Sequence, residues 1–232
     1  MYGIESIPRI RVGIRKELVE AAKDLLYLLN RGYGRKSSLN LVTSRYRLSK
    51  VERLLLYRGI YPYEVSKIRY SKMVNDIENL SIVIDGFNVL STVQSALLSD
   101  TLILCTDNFI RDIAATVRKI KVSPLLLSSL VIVISYLARE KVRYALFVYD
   151  SQVSRSLEIC NLTKKILETM NVNGNCILAN RTDKYLMSFD NYVVASSDSV
   201  ILDKVGRLYD VGGKIALNVA PEDVISINNY LG

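Results

Sequence analysis

Histidine is absent from all 232 residues of the chain. That absence excludes Ser-His-Asp and Cys-His catalysts, and with them the His-ligated zinc hydrolases. Any chemistry must rest on carboxylates, hydroxyls, thiols, amines or a bound cofactor. Cysteine is nearly as scarce. Cys105, Cys160 and Cys176 stand far apart, two of them inside apolar runs, so they suggest neither a zinc site nor an obvious disulfide framework. A reducing, cytoplasmic setting is the simplest expectation, with Cys160 an inert buried thiol on a helix. Glycine and proline number only 11 and 4, so little of the chain reads as disordered linker. No signal peptide is visible, because Met1 to Arg15 is charged with no apolar stretch behind it. The most hydrophobic run, Val122 to Ala138, is interrupted by Pro124, Ser128, Ser129 and Ser135. It falls short of a membrane span of ~20 residues and is expected to be a buried helix, with no membrane association.

What the chain does hold is apolar residues, half of the total, enough for one sizeable core or a core with a small satellite domain. It also holds a lopsided charge. The formal net charge is +8, and residues 1–78 contain 16 of the basic and 8 of the acidic residues. The remainder is balanced at 15 against 15, so the whole excess belongs to the first third. A basic module joined to a neutral body is a common arrangement among nucleic-acid proteins, although a merely soluble surface reads the same way. The patterning changes near the same place. We therefore expect a basic helical domain over residues 1–78 and an α/β domain over residues 79–232.

In the first domain, Leu18, Ala22, Leu25 and Leu29 recur at helical spacing, predicting a helix over Arg15 to Asn30 that Gly32 and Gly34 end. A shorter helix is expected over Lys36 to Ser44. Ser49 and Glu52 then form a capping-box pattern that opens a third helix over Lys50 to Arg58. Two short helices after a longer one resemble a helix-turn-helix. Arg35, Lys36, Arg45, Arg47, Lys50 and Arg53 cluster in this pair and could meet phosphates. A plain three-helix packing module with solvated arginines is the competing reading.

In the second domain, Ser81-Ile82-Val83-Ile84 closes on Asp85, with Gly86-Phe87-Asn88 following. An unbroken apolar run of that length suits a strand buried on both faces of a parallel sheet, where ligands sit beyond the carboxyl ends of the strands. The pattern repeats. Tyr144 to Tyr149 ends on Asp150, ahead of a helix bearing Leu157, Leu162, Ile166 and Met170. Tyr192 to Ala195 is followed by Ser196-Ser197-Asp198 and a helix bearing Ile201, Val205 and Leu208. Asn175 to Leu178 reads as a strand before Arg181-Thr182-Asp183, and Lys214 to Leu217 as a short last strand, entered by a turn at Gly212-Gly213. If these strands are parallel neighbours, Asp85, Asp150 and Asp198 project from one edge. Clustered carboxylates repel one another and favour a cation, and an all-oxygen donor set favours Mg²⁺ or Mn²⁺. Asp150 and Asp198 could equally cap the helices that follow them.

The series Ile84-Asp85-Gly86-Phe87-Asn88-Val89-Leu90, Val148-Tyr149-Asp150-Ser151 and Val193-Val194-Ala195-Ser196-Ser197-Asp198 resembles the motifs of PIN and related NYN-type domains. With Leu28-Leu29-Asn30-Arg31-Gly32-Tyr33-Gly34-Arg35-Lys36-Ser37 before it, nearly the whole chain is similar to a mainly archaeal family that couples a small basic helical domain to a PIN-like domain. The resemblance implies an α/β, PIN-like parallel-sheet domain with helices on both faces, and a metal-dependent ribonuclease activity. It makes Asp85 the first-strand metal ligand, Asp198 the acid after the later strand and Asp150 the acid after the central strand. Asp183 becomes the acid opening the preceding helix, and Asn88 a group orienting Asp85 or a water. PIN nucleases also place an acid in the intermediate stretch, where Asp107 and Asp112 match only loosely. Asp203, five helical steps from Asp198, should face elsewhere.

The leading expectation is an endonuclease that uses Mg²⁺ or Mn²⁺, acting on RNA more readily than DNA. The alternatives are a non-catalytic nucleic-acid-binding protein with a degenerate PIN-like domain, and a scaffold whose basic domain holds a protein. PIN domains often dimerise, so the resemblance allows a homodimer, although no stretch of the sequence marks an interface.

Overall fold

The computed structural model describes residues 9–113, 122–189 and 191–231. It opens with four helices. The first, α1 (Lys16–Asn30), buries Leu18, Ala21, Ala22, Leu25 and Leu29, the stripe that the spacing predicts. Gly32, at φ +81°, turns the chain in a conformation that glycine adopts without steric cost. Next come α2 (Arg35–Arg45) and α3 (Lys50–Gly59). The capping box forms: Ser49 Oγ accepts from the Glu52 N–H at 3.2 Å, and Glu52 Oε2 accepts from the Ser49 N–H at 2.7 Å. The fourth helix, α4 (Tyr63–Ser71), is not among the predicted elements. Its apolar residues lack a clean stripe because its buried positions are polar, Ser66 and Arg69.

Beyond these helices lies a four-stranded parallel sheet built from β1 (Ser81–Asp85), β4 (Tyr144–Asp150), β5 (Gly174–Ala179) and β6 (Val193–Ala195). The order is β5-β4-β1-β6, with every pairing parallel. Both faces are covered, which is why the strands read as continuous apolar runs. On one face Ile82, Ile84, Ala145, Phe147 and Tyr149 pack with residues of α5 (Gly86–Leu97), α6 (Pro124–Arg139) and α7 (Ser156–Thr169). On the other, Val83, Leu146, Val148 and Val194 meet Leu186 of α8 (Thr182–Leu186) and Ile201 and Leu202 of α9 (Ser199–Lys204). Most of the run from Val122 to Ala138 forms α6, which buries one face, including Leu126, Leu130, Val133 and Leu137, and leaves Ser128, Val131 and Ser135 exposed. Among the described residues, no helix is long and apolar enough to cross a membrane.

A second, three-stranded sheet lies apart from the first. It consists of β2 (Leu102–Leu104), β3 (Ile110–Asp112) and β7 (Val224–Ser226), in the order β3-β2-β7. It joins the helical segment to the rest of the molecule. Ile103, Cys105, Ile113 and Ile227 share one buried core with Leu18, Leu25, Leu55, Leu56 and Ile60 from the first helices.

Several expectations are corrected. Lys214 to Leu217 is not a strand, and Gly212-Gly213 is not a turn, because both lie inside α10 (Val211–Val219). Asp210 caps that helix by accepting from the Gly213 N–H at 2.8 Å, while Val211, Ile215 and Ala216 form its buried stripe. Gly212 lets α10 approach α5 closely, since a Cβ there would lie 3.1 Å from Thr92. In α7 the buried stripe is Ile159, Cys160, Thr163 and Leu167, whereas Leu157 is 62% exposed. The helix expected to carry Ile201, Val205 and Leu208 ends at Lys204. Cys160 is no lone thiol: it is joined to Cys176 of β5, 16 residues away, with Cα atoms 5.4 Å apart. The two half-cystines belong to consecutive elements that pack together, a proximity that their spacing in sequence conceals. Cys105 is free and buried.

Candidate active site at the carboxyl edge of the parallel sheet

The parallel register sets the strand ends of the first sheet side by side. Asp85 at the end of β1 lies opposite Val148 of β4, and Asp150 at the end of β4 lies opposite Ala179 of β5. The loops leaving this edge deliver Asp183, in the first turn of α8, and Asp198, the cap of α9. All four predicted aspartates line one cavity of about 380 Å³, together with Phe87, Val153, Asn180, Arg181, Thr182 and Ile201.

Asp85 is the most constrained of the four. Its Oδ2 accepts from Ser196 Oγ at 2.8 Å. Burial pushes its carboxyl up to about 7. The Ser196 bond opposes that rise, Asp198 and Asp183 add to it by like-charge repulsion, and the Asn88 main-chain N–H opposes it. Ser196 Oγ also accepts from the Asp198 N–H at 3.1 Å, so one hydroxyl ties the β1 acid to the β6 loop. Asp198 Oδ1 accepts from the Val200 N–H at 2.7 Å. It therefore caps α9 while still lining the cavity. Asp150 caps no helix, because α7 begins only at Ser156. Its Oδ1 accepts from the Gln152 N–H at 2.8 Å, closing a local turn.

Asn88 does not orient Asp85 with its side chain. Its Oδ1 accepts from the Ser197 N–H at 2.8 Å and from Ser197 Oγ at 3.1 Å, anchoring the loop that carries Asp198. Gly86 is required by packing. A Cβ there would lie 2.1 Å from the ring of buried Tyr149, whose hydroxyl is 3.0 Å from Thr163 Oγ1.

Asp107 does not join the cavity. It is fully buried and held by Arg111 Nη1 and Nη2 at 2.7 and 2.8 Å and by Arg69 Nη1 at 2.7 Å. Burial works against its charge, yet the two guanidiniums hold its carboxyl below the ordinary range. The same arginines reach the cavity wall. Arg111 Nε donates to the Ser197 carbonyl at 2.7 Å, and Arg69 donates to the Ser199 carbonyl at 3.3 Å and to Asp203 Oδ1 at 2.7 Å. Asp203 thus faces Arg69 rather than the cavity, as its angular offset predicts. Asp112 lies in β3 and is not among the cavity's lining residues. Tyr61 packs beneath both arginines, with ring centroid distances of 4.2 Å to Arg69 and 4.9 Å to Arg111. Sequence reasoning passed over Ser196, Arg181, Arg69, Arg111 and Tyr61. Of these, Ser196 and Arg181, each two residues before a candidate acid, and Arg111, four residues after Asp107, carried a local signal.

Of the six basic residues singled out in the helical segment, Arg45 and Arg47 stand apart from the other four. Arg35 is used internally. It donates to the Ile60 carbonyl at 2.8 Å and to the Tyr57 carbonyl, and stacks on Tyr57 and Tyr61. Arg45 lies 3.8 Å from Asp24 and over Tyr46. Arg47 adopts a positive φ of 49°, and its carbonyl accepts from Arg15. Lys36, Lys50 and Arg53 instead meet along a groove between α2 and α3, with Arg35 as its fourth cation.

The four cavity aspartates present only oxygen donors, the chemistry suited to a hard divalent cation. Among the described residues, no three acidic or cysteine side chains stand close enough to grip a single ion as they are placed. The donor set fits an ion that keeps much of its water and binds through one or two carboxylates, the habit of Mg²⁺.

Residues 74–214 match the family described as a domain of unknown function, DUF5616, and residues 17–72 match the family described as a protein of unknown function, DUF434. The uncharacterized protein MJ0935 of Methanocaldococcus jannaschii is 30% identical over 194 residues, spanning 83% of this chain and 92% of its own length. No solved structure matches the chain.

Proposed function

The chain belongs to the DUF5616 family, and on that footing we propose that it is a divalent-metal-dependent phosphodiesterase, an endonuclease that favours RNA over DNA. One observation supports this above the rest. Asp85 and Asp150 at the ends of β1 and β4, Asp183 in the first turn of α8 and Asp198 at the cap of α9 line a single cavity at one sheet edge. Burial, with like-charge repulsion from Asp198 and Asp183 behind it, raises the Asp85 carboxyl to about 7, a cost that a mere packing role does not require. The resemblance to PIN and NYN-type domains gives the substrate class and its leaning towards RNA. On the same reading the helical segment is the helix-turn-helix-like, nucleic-acid-binding part.

Asp85 and Asp198, tied together through Ser196, are the residues that would hold Mg²⁺ or Mn²⁺, with Asp150 and Asp183 facing them. Such an ion supplies a water of lowered pKa and neutralises charge on the phosphodiester. Arg181 is the cation among the cavity's lining residues, suited to pairing with a phosphate oxygen. Phe87, Val153 and Ile201 give that wall of the cavity an apolar surface that limits water. A second reading, a nucleic-acid-binding protein with a degenerate PIN-like domain, draws on the failure of any three carboxylates to converge among the described residues.

The test is incubation of labelled single-stranded and structured RNA with Mn²⁺, Mg²⁺ or EDTA, beside Asp85→Asn and Asp198→Asn. Cleavage that requires the metal and disappears in both variants supports the enzyme. Wild type and variants that bind RNA yet stay equally inert with every ion leave the binding protein as the better reading.

A further inference from the structure

The groove between α2 and α3 has a volume of about 690 Å³. Its lining divides by chemistry. Arg35, Lys36, Lys50 and Arg53 are cations, Leu39, Val51 and Leu54 are aliphatic, and Tyr57 is aromatic. Among the described residues, no acidic one lines it. Arg53 is steadied by neutral partners, Thr43 Oγ1 at 3.1 Å and Asn40 Oδ1 at 2.8 Å, so its charge is not cancelled by them. Tyr57 remains 50% exposed, although Arg35 stacks on it at 5.0 Å.

We infer that this groove binds an unstacked nucleotide of single-stranded nucleic acid, with phosphates on Lys36, Lys50 and Arg53 and a base against Leu39, Val51, Leu54 and Tyr57. The inference rests on the nucleic-acid part of the proposed function and is independent of cleavage.

Charge complementarity selects an anion, and the apolar floor selects an anion with a flat, weakly hydrated body. A polypeptide fits poorly. Its backbone presents as many donors as acceptors, whereas the four cations of this lining donate only and its aliphatic residues do neither. A phosphodiester presents acceptors to the cations, and every base offers a π-face for the exposed part of Tyr57. A duplex fits poorly too. Its bases are stacked out of reach, so it could use the rim cations but not the floor. The sequence pattern puts six cations in a helix-turn-helix-like pair where they could meet phosphates. The structure divides them, and the ones that stay together ring a concavity.

The experiment measures fluorescence anisotropy of a labelled single strand of about 12 nucleotides, within the size range of single-strand sites, against the corresponding duplex. It uses the full chain carrying Asp85→Asn, in EDTA, so that no cleavage intrudes. The single strand is expected to bind about tenfold more tightly than the duplex. In Lys36→Ala/Lys50→Ala, the slope of log affinity against log salt should shrink by about 1.4, roughly 0.7 for each single-strand phosphate that is no longer neutralised. Tyr57→Ala should weaken binding about tenfold with the slope unchanged, the mark of base stacking removed while every charge stays in place. Circular dichroism confirms that each variant is folded, and Lys36→Arg/Lys50→Arg, which keeps the charges, should bind like the parent.

Equal or tighter binding of the duplex overturns the inference. So does single-strand binding that the alanine variants leave untouched, or displacement of the strand by an equal concentration of a glutamate-rich peptide. The two proposals fail separately. Failure of the groove claim with cleavage intact spares the enzyme, and groove binding without cleavage by the unsubstituted chain spares the groove.

Discussion

Arg111 Nε donates to the main-chain carbonyl of Ser197 at 2.7 Å, reaching from β3 of the second sheet to the residue before Asp198. Its guanidinium is 2% exposed and grips Asp107 through two further nitrogens. With Arg69 and Tyr61 from the helical segment, it makes a buried ionic cluster that holds the cavity's β6 loop from behind.

Asp107→Asn should therefore be severe. It keeps the shape but takes the carboxylate from buried Arg111 and leaves Arg69 with Asp203 alone, and breaking such a pair costs about 3–5 kcal/mol. Urea unfolding at neutral pH checks the loss. Hydrogen exchange should quicken at residues 196–200, whose carbonyl anchors depend on the same arginines.

Asp85→Asn should stabilise the protein in EDTA. The carboxyl of Asp85 is raised by burial to about 7, so the unfolded chain gives up that proton at lower pH than the folded one. Stability linked to this group is then fully present below about pH 4 and is lost as the pH rises towards 7. Asparagine removes that loss. A gain on the order of 1–3 kcal/mol at pH 7.5, a few degrees in Tm, is expected, shrinking to nothing near pH 4. Thermal melts of both proteins across this range test the sign.

Reduction should destabilise the chain. Cys160 and Cys176 close a loop of 16 residues, which in the chain-entropy account is worth about 3 kcal/mol. Unfolding with and without a thiol reductant measures it. Thiol titration of the denatured, unreduced protein should find only Cys105.

Gly86→Ala should disturb the site from one methyl group. The new Cβ would lie 2.1 Å from the Tyr149 ring, which is packed on Phe87 at 4.8 Å and cannot yield freely. A loss of about 1–3 kcal/mol is expected, as for other overpacked cores. Gly206→Ala, where nothing lies within 4 Å of the new Cβ, is the control and should be near neutral.

The elements that sequence made legible are those whose local pattern and tertiary role agree. The strands ending at Asp85, Asp150 and Ala195 are buried on both faces and read as apolar runs, and the acids that follow them line the cavity. The helices α1 to α3 declare themselves by stripe, glycine stop and capping box. What stayed hidden depends on distant partners. The strands β2, β3 and β7 have three residues each, too few to show a period, and β7 finds β2 across more than half the chain. Lys214 to Leu217 is short enough to suit either a strand or a helix turn, and the Asp210 cap decides for the helix. The ionic role of Asp107 was only half legible, because Arg111 lies four residues on but its second partner, Arg69, lies 38 residues earlier.

The core shared by α1, α3 and the second sheet means that the two matched families do not correspond to two separable bodies here. A chain cut near residue 78 would leave Leu55, Leu56 and Ile60 bare on one piece, and Ile103, Cys105 and Ile113 bare on the other. Each fragment would own half of an interior and the makings of an aggregate. Sequence drift on one side of that junction must accordingly be answered on the other, and neither half is free to be shuffled alone.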